Sequence, residues 1–580
     1  FTCCFGGGRR NLAFNLLRVS SEKIVPRSGP LARVASVLIV CVFSFFVHGA
    51  APEVSLMESR NFVAAREMVA GGSWLIPTMN QELRLAKPPL PTWAVAAVQL
   101  LVGPTENLAV LRLPAAIMAT LLVLFFWGLV RELSADRPAD LQEPGRTAWL
   151  SALVLASSLL IITTGREGQW DIFANSFLVG ALWLLVRGWR SAGPGYGSFA
   201  GAGLLLGLSI LSKGPVALYG GLLPFLGCYA SRLNEQRAGM GTHGRGALLA
   251  TLVALGVGGA WPLYILYHVQ PAALAVAQTE VTAWRERHVQ PPWYYWNFFV
   301  FSGVWVVAAL SALAVPYARR RLSQFVPYAF ALGWLLSSLM LLSLVPEKKE
   351  RYMLPLLPPL ALLATGALRH WETAFGLGQA TSTDQRLLRF WVVVFTVVCL
   401  AAPAAMLIVK LPGFGPDSLR FAAVMLVGGS LSVVAVWAGW QRSQPRALIG
   451  ASFTLLAAFI TLLLPAYPVW EARHGEPGLR RLRQARQHPR IQGLPWYSLD
   501  EMHVKQVWSA GQAVPLWHTA TDSLPLKKLP LVAFSGAPIT DALPARWRQH
   551  LQIEVVDSFF LGRERKDGLW FISVLRQKSK

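Results

Sequence analysis

Residues 389–411 read Arg-Phe-Trp-Val-Val-Val-Phe-Thr-Val-Val-Cys-Leu-Ala-Ala-Pro-Ala-Ala-Met-Leu-Ile-Val-Lys-Leu. Between Arg389 and Lys410 lie twenty residues without a charge. As a helix they span about 30 Å, the thickness of a bilayer's hydrocarbon core. Similar apolar runs recur from residue 33 to residue 467. The whole chain of 580 residues is 54% hydrophobic and 14% charged, against roughly 25% charged in a soluble domain. A water-facing globule cannot cover that much apolar surface. The composition predicts an all-α polytopic membrane protein with about thirteen transmembrane helices. A further run at 88–103, after Lys87-Pro88-Pro89, is short and is expected to lie in the interface or re-enter the membrane.

The net charge is +23. The basic residues fall mostly in short connections between apolar runs, which makes membrane orientation their first explanation and nucleic acid a poor one. With a cytoplasmic N-terminus, every even-to-odd connection is basic, including Arg131 and Arg137, Arg319 to Arg321, and Arg442 and Arg446. Residues 1–32 are then a cytoplasmic tail, 33–467 the membrane domain, and 468–580 a small periplasmic α/β domain with strand-like runs such as 530–534 and 553–556. The first apolar run lacks a small-residue cleavage site and is expected to be a retained helix. Cys41, Cys228 and Cys399 lie inside apolar runs, where cysteine acts as a small hydrophobe, and no disulfide framework is implied.

Two outside loops break the charge rule. One carries Arg285, Arg287 and His288 before Pro291-Pro292-Trp293-Tyr294-Tyr295; the other is Pro346-Glu347-Lys348-Lys349-Glu350-Arg351-Tyr352. Lysine and arginine neutralise phosphate, and arginine does so with two parallel hydrogen bonds. A solvated basic loop is the plainer reading; an anion site at the outer surface is the sharper one. Acids beside spans are costly and need a use or a partner. Two places hold them: the first outside loop, 51–108, with Glu58, and the short connection Gly165-Arg166-Glu167-Gly168-Gln169-Trp170-Asp171. Lys87 is held extended by the prolines that follow it, and Lys213 sits between two spans on the same side.

Carboxylates, Lys87, a histidine and a basic tyrosine-bearing loop thus map to one side of the membrane. Sugar transfer from a polyprenyl phosphate needs those parts: a carboxylate for the acceptor, and cations for the departing phosphate. The expected catalytic residues are Asp171 and Glu58. The expected donor-phosphate ligands are Lys87, Lys213, Arg285, Arg287, Lys348, Lys349, Arg351 and Tyr352. His288 could ligate a metal, donate to phosphate or move a proton.

The order of motifs resembles the bacterial relatives of the dolichyl-phosphate-mannose protein mannosyltransferases, a group that includes the lipid A aminoarabinose transferase. The matching residues are Glu58-x-Arg60, Ala65-Arg66-Glu67-Met68, Trp74-x-x-Pro77, Lys87-Pro88-Pro89-Leu90, Arg112-Leu113-Pro114, Asp171, Ser212-Lys213-Gly214-Pro215, His288 and Tyr352-x-Leu354-Pro355. The resemblance covers about residues 33–370. It implies the GT-C membrane fold, an undecaprenyl-phosphate-linked sugar donor, and a periplasmic acceptor such as lipid A or another envelope glycan. It also leaves open a divalent metal ion on Glu58, Asp171 and His288. Met57 stands where the family has its first-loop Asp, Asn61 replaces a Tyr, and Ala86 replaces an acid that some relatives place before Lys-Pro-Pro. A protein O-mannosyltransferase is a second enzyme reading. A flippase for lipid-linked sugar is the non-enzyme alternative, and it predicts charges within spans or inverted repeats, neither of which is visible.

Overall fold

The computed structural model describes residues 29–235, 240–275, 289–518, 528–561 and 568–578. Arg285, Arg287 and His288 lie outside these residues, as does most of the basic N-terminal tail. In chain order the main helices are α1 (Pro30–Cys41), α2 (Leu56–Val69), α3 (Leu90–Val102), α4 (Leu113–Ser134), α5 (Arg146–Ala156), α6 (Leu159–Gly165), α7 (Trp170–Trp189) and α8 (Tyr196–Lys213). They continue with α9 (Leu223–Glu235), α10 (Met240–His268), α11 (Val306–Leu313), α12 (Tyr328–Leu344), α13 (Leu357–Gly376), α14 (Ser382–Val409), α15 (Leu419–Val436) and α16 (Pro445–Ala458). Among the described residues, eight helical segments are long and apolar enough to cross a membrane.

These spans divide by their surroundings. The segment 350–376 has the lowest mean hydropathy of the eight, 1.2, yet 89% of its most apolar window is buried. It is the centre of the bundle, so its environment is protein. By contrast α14 has the highest mean hydropathy, 2.7, and only 28% of its window is buried. Its outward Phe390, Val393, Val397 and Leu400 are exposed, a surface that only lipid can solvate cheaply.

The run expected as one span at 147–164 is broken. α5 and α6 meet at an angle of 62°. Ser157 and Ser158 cause the break: their hydroxyls donate back to the carbonyls of Leu153 (2.6 Å) and Val154 (2.8 Å), which competes with the helical ladder and bends it. Trp305 Nε1 donates to Ser157 Oγ at 2.8 Å and fixes the corner. The bend sets α6 and the connection to α7 over the first outside loop. α3 has 13 residues, about 20 Å, too short to cross a bilayer; Leu100, Leu101 and Val102 at its tip are exposed.

The first outside loop carries a short hairpin, β1 (Thr78–Met79) and β2 (Glu82–Leu83), and the last hundred residues hold α17 (Pro477–Ala485), α18 (Val504–Ala510) and a four-stranded sheet of β3 (Trp496–Ser498), β4 (Leu531–Ser535), β5 (Leu551–Phe560) and β6 (Leu569–Gln577). The strand order is β3-β4-β6-β5, with β3 parallel to β4 and the other pairs antiparallel. This part shares a core with the first outside loop: Phe62, Val63 and Val95 pack with Val507, Trp508 and Phe534. The rings of Phe62 and Trp508 are 5.6 Å apart.

Candidate active site

The first outside loop is built by its own acids. Ser55 caps α2: its hydroxyl accepts from the Glu58 amide, and Glu58 accepts in return from the Ser55 amide. Glu58 also receives Arg112 Nε at 2.6 Å and Arg112 Nη2 at 2.9 Å, and the Gly168 amide at 2.8 Å. Arg112 spends its remaining donors on the carbonyls of Gly49, Pro52 and Glu53. Glu58 is fully buried. It was expected to be catalytic; the structure makes it a pin that clamps α2, the start of α4 and the 166–169 connection together. Arg112, read in the sequence only as part of a motif, is its partner.

Ala65-Arg66-Glu67-Met68 is likewise structural. Glu67 accepts from Thr78 Oγ1 and the Asn80 amide, both at 2.6 Å. It thereby holds the β-turn at Asn80 and Gln81, both of positive φ. Arg66 Nη2 donates to the carbonyl of Val507, and Asn80 exchanges two 2.7 Å hydrogen bonds with the backbone of Val514.

Above this frame lies a cavity of about 950 Å³. Its described lining includes five cations, Arg60, Lys87, Lys213, Lys349 and Arg351, against three carboxylates, Glu167, Asp171 and Glu347. Met57, Trp170, Asn175, Tyr295, Trp261 and Tyr352 complete much of the wall. Asp171 opens α7 and Lys213 ends α8, where Gly214 at φ +79 lets the chain turn away. Lys213 Nζ pairs with Asp171 Oδ1, and Arg351 Nε lies 3.5 Å from Oδ2. Lys213 also sits 4.5 Å from the centre of the Tyr352 ring. The Tyr352 hydroxyl donates to Glu347 Oε1 at 3.2 Å, and Lys349 Nζ approaches the same oxygen at 2.5 Å. Burial, reinforced by the charge of Lys213, pulls the Lys87 ammonium down to about 7. An anion entering this cavity would therefore meet a surplus of positive charge in a partly dry setting.

The expected residues divide as follows. Lys87, Asp171, Lys213, Lys349, Arg351 and Tyr352 converge on one cavity. Lys348 does not: its ammonium donates to the backbone carbonyls of Gln290 (3.1 Å) and Val345 (2.7 Å) and is buried there. It staples the two outside loops, whose Val289 and Glu347 form a β-bridge. Lys348 and Lys349 differ because adjacent side chains in extended backbone point to opposite faces. Among the described residues no group of three or more His, Cys, Asp or Glu could hold a metal. The donors expected for one do not suit a cation: Glu58 has both oxygens on Arg112 and backbone amides, and Asp171 faces Lys213 and Arg351. The sequence reading quoted Glu167 and Tyr295 without assigning either a part, and missed Asn175. An acid in a connection of four residues between two spans was the available signal for Glu167.

These features define a membrane-embedded glycosyltransferase of GT-C architecture. The fold matches the crystal structure of ArnT from Cupriavidus metallidurans bound to undecaprenyl phosphate, with a TM-score of 0.64, 16% identity, and coverage of 94% of this chain and 97% of that one. The apo structure of the same protein matches with a TM-score of 0.61. The family model described as dolichyl-phosphate-mannose-protein mannosyltransferase matches residues 86–261. The undecaprenyl phosphate-α-4-amino-4-deoxy-L-arabinose arabinosyl transferase of Pseudomonas aeruginosa is 30% identical over 437 residues, covering 70% of this chain and 71% of its own. The corresponding transferase 2 of Pseudomonas fluorescens is 26% identical over 428 residues, covering 71% and 68%. The chain belongs to this family of bacterial membrane glycosyltransferases, related to the protein mannosyltransferases.

Proposed function

We propose that the chain is a multi-pass inner-membrane enzyme that moves a sugar from undecaprenyl phosphate to lipid A or another envelope glycan at the periplasmic face. The observation that carries this is the cavity's excess of cations, set at one end of a bundle of lipid-facing helices. The acceptor oxygen attacks the anomeric carbon, the bond from that carbon to the phosphate oxygen breaks, and the lipid phosphate leaves with the electron pair. Lys87, Lys213, Lys349 and Arg351 receive the charge that builds on the departing phosphate. Asp171 holds Lys213 and Arg351 in place, and Tyr352 packs beneath them.

The eight long spans, the bent α5–α6 pair, α8 and the shorter apolar helices near 30–46, 218–230 and 328–344 make thirteen crossings in this reading. The N-terminus is then cytoplasmic, and residues 468–580 form a periplasmic α/β domain seated on the first outside loop. The test is transfer of radiolabelled sugar from an undecaprenyl-phosphate donor to lipid A by the purified full chain in proteoliposomes. Asp171→Asn is expected to lower turnover by at least about 100-fold while the protein elutes and melts as a folded species. Near-normal turnover in that variant removes Asp171 from the mechanism; no transfer by the unaltered chain with lipid A or a mixed envelope glycan extract refutes the reading.

A further inference from the structure

We infer that Glu167 is the general base of this transfer, and that the acceptor group it serves is a neutral hydroxyl. The inference rests on the transferase reading above. Each of the other carboxylates around the cavity is paired with a cation, and among the described residues Glu167 is not. Glu58 is sealed against Arg112. Asp171 has a cation at each oxygen. Glu347 Oε1 is shared by Lys349 and Tyr352. Glu167 lines the cavity, as do Ser55, Leu56 and Met57. Among the described residues its carboxylate takes one hydrogen bond, from Gln169 Nε2 to Oε2, so Oε1 is left for an incoming proton donor.

Its position is held from both sides. Arg166, the residue before, donates to the carbonyls of Phe43, Ser44 and Val47 at 2.7–2.9 Å and caps the end of the first membrane helix. Gly168, the residue after, gives its amide to Glu58 and receives Asn61 Nδ2 on its carbonyl, each at 2.8 Å. A Cβ at residue 168 would lie 2.5 Å from the Phe62 ring, so only glycine allows this approach. A group pinned on both flanks and aimed into a cavity is arranged as a base must be, within reach before the reaction begins. The cavity wall includes both Met57, which stands in place of the first-loop Asp, and Glu167, so a carboxylate on the 166–169 connection can take the part of the missing one.

The titratable groups facing Glu167 are Glu58 and Arg112 from the first loop and the start of α4, Asp171 from α7, Arg351 from the 346–352 loop and Tyr467 from the helix Ala466–His474, with Arg60 elsewhere in the cavity wall. Burial, with help from Glu58, lifts the Glu167 carboxyl to about 7, which suits a base working near neutral pH. In the step itself the acceptor O–H proton passes to Glu167 as the oxygen bonds to the anomeric carbon, and the pair of the broken C–O bond leaves on the phosphate. The proton then returns to the phosphate or to water. An anionic phosphate nucleophile needs no base and would be repelled by this carboxylate, which is why the acceptor is assigned as a hydroxyl.

The experiment uses the full chain in proteoliposomes with radiolabelled undecaprenyl-phosphoryl sugar and lipid A. Glu167→Gln is expected to lower kcat by about 100-fold or more, leave retention of undecaprenyl phosphate within twofold, and abolish the acid limb of the pH profile. Met57→Asp in that background is expected to restore at least tenfold of the loss, which a structural role would not permit. Glu167→Asp, which keeps the charge but shortens the reach, is expected to fold and bind donor as the parent does and to lose tenfold in kcat. The product should survive mild acid, as an O-glycoside does and a glycosyl phosphate does not. Wild-type kcat and pH profile in E167Q, or in E167D if E167Q fails to bind donor, would overturn the inference and leave the transferase reading standing. An acid-labile product would overturn the hydroxyl assignment. An unaltered chain that transfers no sugar would remove both.

Discussion

The two ends of the same helix bundle collect charge and treat it in opposite ways. At one end, Arg146 bridges Glu143 and Glu372, Arg369 bridges the same two acids, and Arg446 reaches Glu372 as well. Nearby, Asp384 accepts from the Tyr317 hydroxyl at 2.6 Å and lies 3.2 Å from His370 Nε2, while capping α14 through Thr381. These acids are enclosed by donors, and the groups tie α5, α13, α14 and α16 together. At the other end, five cations outnumber three acids around a cavity. Closed charge builds structure; a surplus of one sign favours an ion of the other. Glu58 refines the lesson, since it lies beside the cavity yet belongs by its bonding to the closed kind.

The contrast can be broken by experiment. The largest effect is expected at the closed end. Glu372→Ala leaves Arg146 and Arg369 to share Glu143 alone, and stability should fall by on the order of 3 kcal/mol, read as a lowered thermal midpoint in detergent. Turnover per folded molecule should stay within twofold; a fall in turnover without loss of stability would join that end to the chemistry. Next comes Lys87→Ala, where transfer should drop about 100-fold, roughly 2.7 kcal/mol, with the thermal midpoint unchanged. A lowered midpoint and normal kcat/KM would make Lys87 structural.

A smaller effect follows from pH. In the proposed mechanism Lys87 meets the phosphate as the ammonium, and its lowered value of about 7 means the charge is lost as pH rises through neutrality. Donor affinity of the free enzyme should therefore fall about tenfold between pH 6 and pH 8, measured by equilibrium binding of the undecaprenyl-phosphoryl sugar, whose phosphodiester keeps one charge across that range. A flat profile would show that Lys87 does not meet the phosphate. The smallest change in activity is expected for Lys348→Met, within twofold, because its ammonium serves backbone carbonyls. A loss comparable to that of a Lys349→Met variant would erase the distinction between the neighbours.

How much of this was legible in the chain depends on the range of the forces involved. Hydropathy is local, and it sufficed to identify a polytopic membrane protein. The convergence of Lys87, Asp171, Lys213, Arg351 and Tyr352 was legible too, because side-of-membrane bookkeeping places distant residues on one face. The partner of an acid was not: Glu58 and Arg112 are 54 positions apart, and no local pattern distinguishes a pin from a catalyst. Direction was also hidden, as Lys348 and Lys349 are chemically the same residue facing opposite ways. The break at Ser157 and Ser158 needed the back-bonding of two hydroxyls, which apolar run length does not register.

The hydrogen bonds between Asn80 and Val514 join positions 434 residues apart. A ribosome adds about 5–20 residues per second, so the hairpin at Asn80 waits roughly 20–90 s before its partner has been synthesised. By the end of that interval the growing chain carries Lys87, Lys213 and Lys349 but still lacks the last brace of the loop that frames their cavity. Assembly thereby acts as a timer: the newborn molecule cannot finish its working end until nearly its whole length has been made.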